Sequence, residues 1–284
     1  FTGHLVEKDM KGLDKRVTLQ QLDPKTHRNH AMPAEVLKRG RLINKELTKV
    51  FLNKQTFTSR NRRNGQLDTN SLWKKGVKDY NMFVKKGVPN DSSFAVNVLV
   101  DASGSMKERV DTTGATKLTK ATEATAMIEE ALRDLVPVRI TYFTAAYDQV
   151  LHSTVKDFNQ SSKETLSWKR LPAFQNLANR DGYSIKVGTR ELLKRSEQKK
   201  ILIILSDGLP TVPSDSMGQK EVHEAVREAR QAGVIVIAIA FGSEQEMAQN
   251  KNVYKEMYQN GIIMARPDEI HKYLSKTIQT EINK

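Results

Sequence analysis

The residues whose types and spacing could do chemistry begin at Asp101-Ala-Ser-Gly-Ser-Met106. A carboxylate and two hydroxyls at i, i+2 and i+4 can project to one side of a tight turn. Asp101, Ser103 and Ser105 can then share one hard cation. A second carboxylate stands at Asp207, in Ser206-Asp-Gly208. These donors are all oxygens, a set that suits Mg²⁺ or Mn²⁺ rather than zinc. Ser, Gly and Asp clusters are also ordinary turn chemistry, so the first motif does not establish a site by itself.

Both acidic turns follow runs that read as strands buried on two faces, Phe94-Ala-Val-Asn-Val-Leu-Val100 and Ile201-Leu-Ile-Ile-Leu-Ser206. Ligand sites in open α/β sheets lie at the carboxyl ends of strands, and two neighbouring parallel strands would bring Asp207 beside Asp101. The remaining pattern alternates as such a sheet demands. Leu118, Ala121, Thr125, Ile128, Leu132 and Leu135 mark one face of a helix, and strands are expected at 138–143 and, shorter, at 149–153. A helix at 219–232 ends at Gly233 and leads into a strand at 234–241, then an edge strand near 262–265 and a final helix from Pro267. The fold class is therefore α/β, with a doubly wound, mostly parallel central sheet and helices on both faces. Residues 106–116 and 210–218 are the loops at the metal edge, forming the rim a partner touches.

The chain resembles the von Willebrand factor A (VWA) family, whose metal-ion-dependent adhesion site (MIDAS) is written Asp-x-Ser-x-Ser, a distant Thr, and an Asp after a later strand. Asp101, Ser103, Ser105 and Asp207 match its first and last elements, whereas Asn179-Arg-Asp-Gly-Tyr-Ser184, opening a helix to Arg195, replaces the usual Gly/Thr loop. The chain is most similar to the C-terminal VWA module of the cobaltochelatase CobT type. There too an Asp-Gly begins the helix, and a stretch like Ser196-Glu-Gln-Lys-Lys200 precedes a strand ending in Ser-Asp-Gly-x-Pro, here Ser206 to Pro210. The resemblance implies Asp101, Ser103, Ser105, Asp181 and Asp207 as metal ligands. Asp181 has an alternative role as a helix cap. Thr189, inside that helix, and Thr144, after the strand at 138–143, are the neutral alternatives for the third position. A third carboxylate would cancel more of the ion's charge and weaken its pull on a partner's acidic group, unless Asp181 binds through water or caps its helix.

The 284 residues, 38% of them hydrophobic, suffice for one large core plus an extension. Charge divides them: residues 1–92 hold 20 Lys and Arg against nine Asp and Glu, and residues 93–284 hold 26 against 24. The expected organisation is a basic N-terminal extension, 1–92, packing on a VWA domain, 93–284. In the extension a helical pattern opens at Pro33, and Ser59-Arg-Asn-Arg-Arg63 reads as extended. Asn64-Gly65 reads as a turn, Asp68-Thr-Asn-Ser-Leu-Trp73 as a capped short helix, and 80–86 as a strand. The first 30 or so residues are polar and aperiodic, and His27-Arg-Asn-His30 lacks the further ligands that a metal site requires. The basic surface reads as protein-facing; nucleic acid is the alternative, although no nucleic-acid motif accompanies it. Cysteine is absent, which excludes disulfides and thiolate sites and fits a reducing, cytoplasmic compartment. No apolar run reaches the roughly 20 residues of a membrane span. The chain begins with Phe, which reads as a fragment of something longer.

None of the six histidines falls in a metal loop, so no general base accompanies the hydroxyls and catalysis is not expected. The resemblance implies instead an intracellular, metal-dependent interaction module. It would be partnered with a MoxR- or CobS-type AAA+ ATPase, or with another protein offering an acidic residue to the metal. A CobT-like subunit of metal insertion into a tetrapyrrole and an extracellular adhesion protein are the alternatives.

Overall fold

Three apolar strands in one sheet determine the layers, because alternate side chains on each must be covered from opposite sides. The computed structural model describes residues 6–7, 17–23, 28–55, 57–63, 66–77, 79–87, 93–110, 114–161, 170–171, 177–259 and 262–264, with 273, 276 and 280. Its strands in chain order are β1 (Val6–Glu7), β2 (Thr18–Gln21), β3 (Arg28–Asn29), β4 (Phe57–Arg62), β5 (Gln66–Leu67), β6 (Phe83–Gly87), β7 (Phe94–Asp101), β8 (Val138–Ala146), β9 (Gln149–Lys156), β10 (Arg170–Leu171), β11 (Lys199–Ser206), β12 (Val234–Ala240) and β13 (Ile262–Met264). The helices are α1 (Ala34–Gln55), α2 (Lys117–Leu132), α3 (Asp181–Leu193), α4 (Asp215–Gln231) and α5 (Glu244–Tyr258).

The main sheet has eight strands in the order β1-β2-β9-β8-β7-β11-β12-β13. Pairing from β8 through β7, β11 and β12 to β13 is parallel, whereas β8 and β9 form an antiparallel hairpin. Val96, Val98 and Val100 of β7 join Ile201, Ile203 and Leu205 of β11 and Ile237 and Ile239 of β12 in one core, shared with Leu118, Met127 and Ile128 of α2 and Ile43 and Leu47 of α1. Their alternates Leu99, Leu202, Ile204, Val236 and Ala238 face the other way, against Ile185 and Leu192 of α3, Val222 and Val226 of α4, and Tyr254 and Met257 of α5. The sheet is doubly wound, as the sequence pattern demands.

The basic extension is fastened at two places. α1 lies so close to α2 that a methyl at Gly40 would stand 2.7 Å from Glu130 Cβ. Asn44 Nδ2 donates to the carbonyls of Ala131 and Arg133 at 3.0 Å, satisfying orphan acceptors at the end of α2. Thr18–Gln21, within the stretch read as aperiodic, pair in parallel with β9. A separate three-stranded sheet, β4-β6-β5, carries the 3₁₀ helix Thr69–Val77, where Asp68 Oδ2 accepts from Ser71 Oγ at 3.1 Å. His27, Asn64-Gly65 and most of the helix expected from Pro267 lie outside the described residues. No helix among the described residues is long and apolar enough to cross a membrane.

Hydrophobic periodicity did not mark α5, yet a capping box starts it. Ser243 Oγ accepts from Glu246 N at 3.2 Å, and Glu246 Oε2 accepts from Ser243 N at 2.7 Å.

The third acidic loop depends on a close helix contact. A methyl at Gly182 would stand 2.6 Å from the Glu221 carbonyl carbon and 2.8 Å from Val222 N, so α3 must pack bare backbone against α4. Gly182→Ala should force the helices apart and destabilise the protein by about 1–3 kcal/mol. A denaturant midpoint indistinguishable from wild type would show that the contact yields without cost.

Candidate metal centre

Parallel register delivers the first two loops together. Val100 lies opposite Leu205, so β7 and β11 end side by side and release Asp101 beside Ser206. Ser206 Oγ donates to Asp101 Oδ2 at 3.0 Å, while Ser103 N donates to Asp101 Oδ1 at 2.8 Å and closes the turn. Ser103 and Ser105 place their hydroxyl oxygens 3.1 Å apart, and Ser105 Oγ donates to Asp207 Oδ1 at 2.9 Å. Four of the five predicted residues thus form one hydrogen-bonded chain.

The fifth, Asp181, arrives on a loop strapped across this edge. Gly104 N donates to Leu177 O at 2.8 Å, Ala145 N to Ala178 O at 2.9 Å and Val212 N to Asn179 O at 3.2 Å. Asn179 Nδ2 lies 3.4 Å from Asp181 Oδ2 and 3.5 Å from Asp101 Oδ2, and its Oδ1 accepts from Thr211 N at 3.1 Å. Asp181 is fully buried, and its Oδ1 has no hydrogen-bond partner. It does not cap α3. The N-cap position belongs to Arg180, whose guanidinium makes two 3.0 Å bonds to Glu221 on α4 and so fixes the start of the helix. Of the neutral alternatives, Thr144 donates to Ala178 O at 2.9 Å and steadies the loop, while Thr189 is buried within α3 with its hydroxyl unpaired. No imidazole hydrogen-bonds to the cluster among the described residues: His152 pairs with Ser184 and His223 with the Glu256 carbonyl.

Gathering three carboxylates out of water is unfavourable, and their protonation equilibria show it. Burial, then the charge of Asp207, pushes Asp101 up to about 7. Burial followed by repulsion from Asp101 and Asp207 holds Asp181 well above the ordinary range. Burial also raises Asp207, against the opposing pull of Lys117.

Lys117 was not anticipated as part of this site. Its ammonium lies 2.7 Å from Glu108, 3.1 Å from Asp207 Oδ2 and 3.3 Å from Glu246, with only 6% of the side chain exposed. Burial disfavours the ammonium, yet the bonds to Glu108, Asp207 and Glu246 more than offset it and raise its pKa. One signal was legible: a lysine opening a helix faces the positive end of the dipole and needs compensation. Tyr254 OH, from α5, donates to the Asp207 carbonyl at 3.1 Å and joins that helix to the same loop.

Among the described residues no three His, Asp or Glu side chains stand close enough to hold an ion by themselves, so an ion here needs the serine hydroxyls too. The residues meet that requirement. Two adjacent hydroxyls, a buried orphan carboxylate oxygen and mutually repelling acids form a hard, oxygen-only donor set.

The model of the von Willebrand factor type A domain matches residues 96–277. An uncharacterised Bacillus subtilis protein, YojO, is 30% identical over 256 residues, covering 83% of this chain and 38% of its own length. Protein NorD of Brucella suis is 27% identical over 162 residues, covering 55% and 25%. The chain thus spans well under half the length of these curated relatives. Among solved structures, the PilB minor pilin of Streptococcus sanguinis superposes with a TM-score of 0.55 at 12% identity, over 70% of this chain and 66% of that one, a likeness of fold.

A raised carboxylate favours the protonated folded state, so its stabilising contribution is complete below the ordinary value of 3.8 and is lost as pH rises through about 7 for Asp101. In EDTA the melting temperature should fall across that window. Millimolar Mg²⁺ should flatten the fall, because ion binding favours the ionised carboxylates. Parallel pH profiles with and without Mg²⁺ would contradict a divalent site.

Proposed function

The chain belongs to the von Willebrand factor type A family, and from that premise we propose that it is a metal-dependent protein-interaction module rather than an enzyme. The observation that carries the reading is the convergence of Asp101, Ser103, Ser105, Asp181 and Asp207 at the carboxyl edge of the sheet, with Asp181 Oδ1 buried and unpaired. These residues form a MIDAS-type oxygen set that would hold Mg²⁺ or Mn²⁺, a hard ion that would attract a partner's Glu or Asp. The hydroxyls of Ser103 and Ser105 serve as neutral donors, and Asn179 and Ser206 orient the carboxylates around them. Among the described residues, no histidine hydrogen-bonded to these side chains offers the base that water activation would use.

The partner class follows from the CobT-like sequence around the third loop, Asn179 to Ser184, and the strand ending in Ser206-Asp-Gly-Leu-Pro210. It favours a MoxR- or CobS-type AAA+ ATPase in the cytoplasm, engaged through an acidic side chain. The exposed rim can add apolar contact. Tyr147 in the β8–β9 turn is 88% exposed, and Met217 in the first turn of α4 is 59% exposed.

Pull-downs should retain such a partner in Mg²⁺ and lose it in EDTA or with the Ser103→Ala/Ser105→Ala pair. Nucleic acid on the basic extension would ignore both treatments and fall steeply with salt. A principal partner that survives EDTA and the double substitution, but is lost on neutralising Arg60, Arg62 and Arg63, would sink the proposed function.

A further inference from the structure

The buried charge of the site does not follow the two-carboxylate pattern. Asp101 and Asp181 are fully buried, the Asp207 side chain is 2% exposed and that of Lys117 is 6% exposed. Glu108 and Glu246, the other partners of Lys117, have side chains 60% and 44% exposed, so water and salt screen their charges. Three buried negative charges and one buried positive charge remain, a net of minus two. A divalent ion neutralises that sum.

We propose that Lys117, held on Asp207, offsets the third negative charge of the carboxylate cluster, setting the cation preference of the site and keeping a bound divalent ion able to attract an acidic partner. The inference rests on the metal-dependent reading above and adds to it the residue that makes a third carboxylate tolerable. Without Lys117 the site would carry three uncompensated charges, favour a trivalent ion, and leave a net negative field around a divalent one.

Two features of the structure support this assignment. Lys117 opens α2, where the helix dipole disfavours a cation, and its ammonium is desolvated. A lysine held there against both costs is fixed by its partners, not left by default. Moreover, it does not take the place of the ion. Its bonds reach Asp207 but neither Asp101 nor Asp181, whose Oδ1 stays unpaired.

Mg²⁺ affinity by calorimetry and Tb³⁺ affinity by luminescence provide the test, because a merely structural lysine would not alter their ratio. Lys117→Gln keeps a hydrogen-bond donor and removes the charge; it should raise the Tb³⁺-to-Mg²⁺ affinity ratio about tenfold. Asp181→Asn should lower that ratio by about the same factor, and the double substitution should return it near wild type, as should Lys117→Arg. A ratio unchanged in folded Lys117→Gln overturns the proposal. If that variant does not fold, Asp181→Asn and the double substitution decide: an unchanged ratio in the first, or no return in the second, overturns it equally. Failure of the wild-type protein to bind either ion would refute the underlying metal reading instead.

Discussion

Everything at the carboxyl edge depends on one electrostatic constraint: Asp101, Asp181 and Asp207 are buried together and repel one another. Buried charges persist only where hydrogen bonds, counter-charges or metal ions offset their desolvation. Each neighbouring feature reads as a partial answer. Ser103 and Ser206 donate to Asp101, Ser105 donates to Asp207, Asn179 reaches Asp101 and Asp181, and Lys117 neutralises Asp207. The answer stays incomplete at Asp181 Oδ1. That deficit separates a site from a well-satisfied polar core.

The same constraint explains how distant segments are recruited. Glu108 precedes α2 and Glu246 lies in the first turn of α5, and both hold Lys117. Tyr254, two turns further along α5, bonds the carbonyl of Asp207 itself. The Arg180–Glu221 pair, with the close approach at Gly182, fixes the start of α3 against α4 and so aims Asp181 inward. Lys117 of α2 from one face of the sheet, and α3, α4 and α5 from the other, therefore bear directly on the geometry of the metal loops. Among the described residues the extension stays apart from this network. α1 covers the opposite core through Ile43 and Leu47, and Asn44 caps the end of α2.

Much of the fold was legible because the near-continuous apolar runs along Phe94–Asp101, Lys199–Ser206 and Val234–Ala240 are a strong signal of strands buried on both faces. Asp101, Ser103, Ser105 and Asp207 followed from their places at those strand ends. Asp181 was legible only with the alternative of a cap, which the structure resolves by giving the N-cap position to Arg180. Two elements escaped. α5 lacks a clear apolar stripe, though Ser243 and Glu246 spelled its capping box. Thr18–Gln21 is polar and becomes a strand by pairing with β9, a tertiary effect that no local pattern encodes. Lys117 escaped because sequence distance hides two of the three acids that hold it: Asp207 is 90 residues away and Glu246 is 129.

The most direct test of the central claim is a crystal structure of the protein with Mn²⁺, the ion located by its anomalous scattering. The account predicts one peak within coordination distance of the Ser103 and Ser105 hydroxyls, with Asp181 Oδ1 turned toward it directly or through a water, and Lys117 still bonded to Asp207. A structure with no Mn²⁺ between these loops, or with the Lys117 ammonium occupying that position, would contradict it.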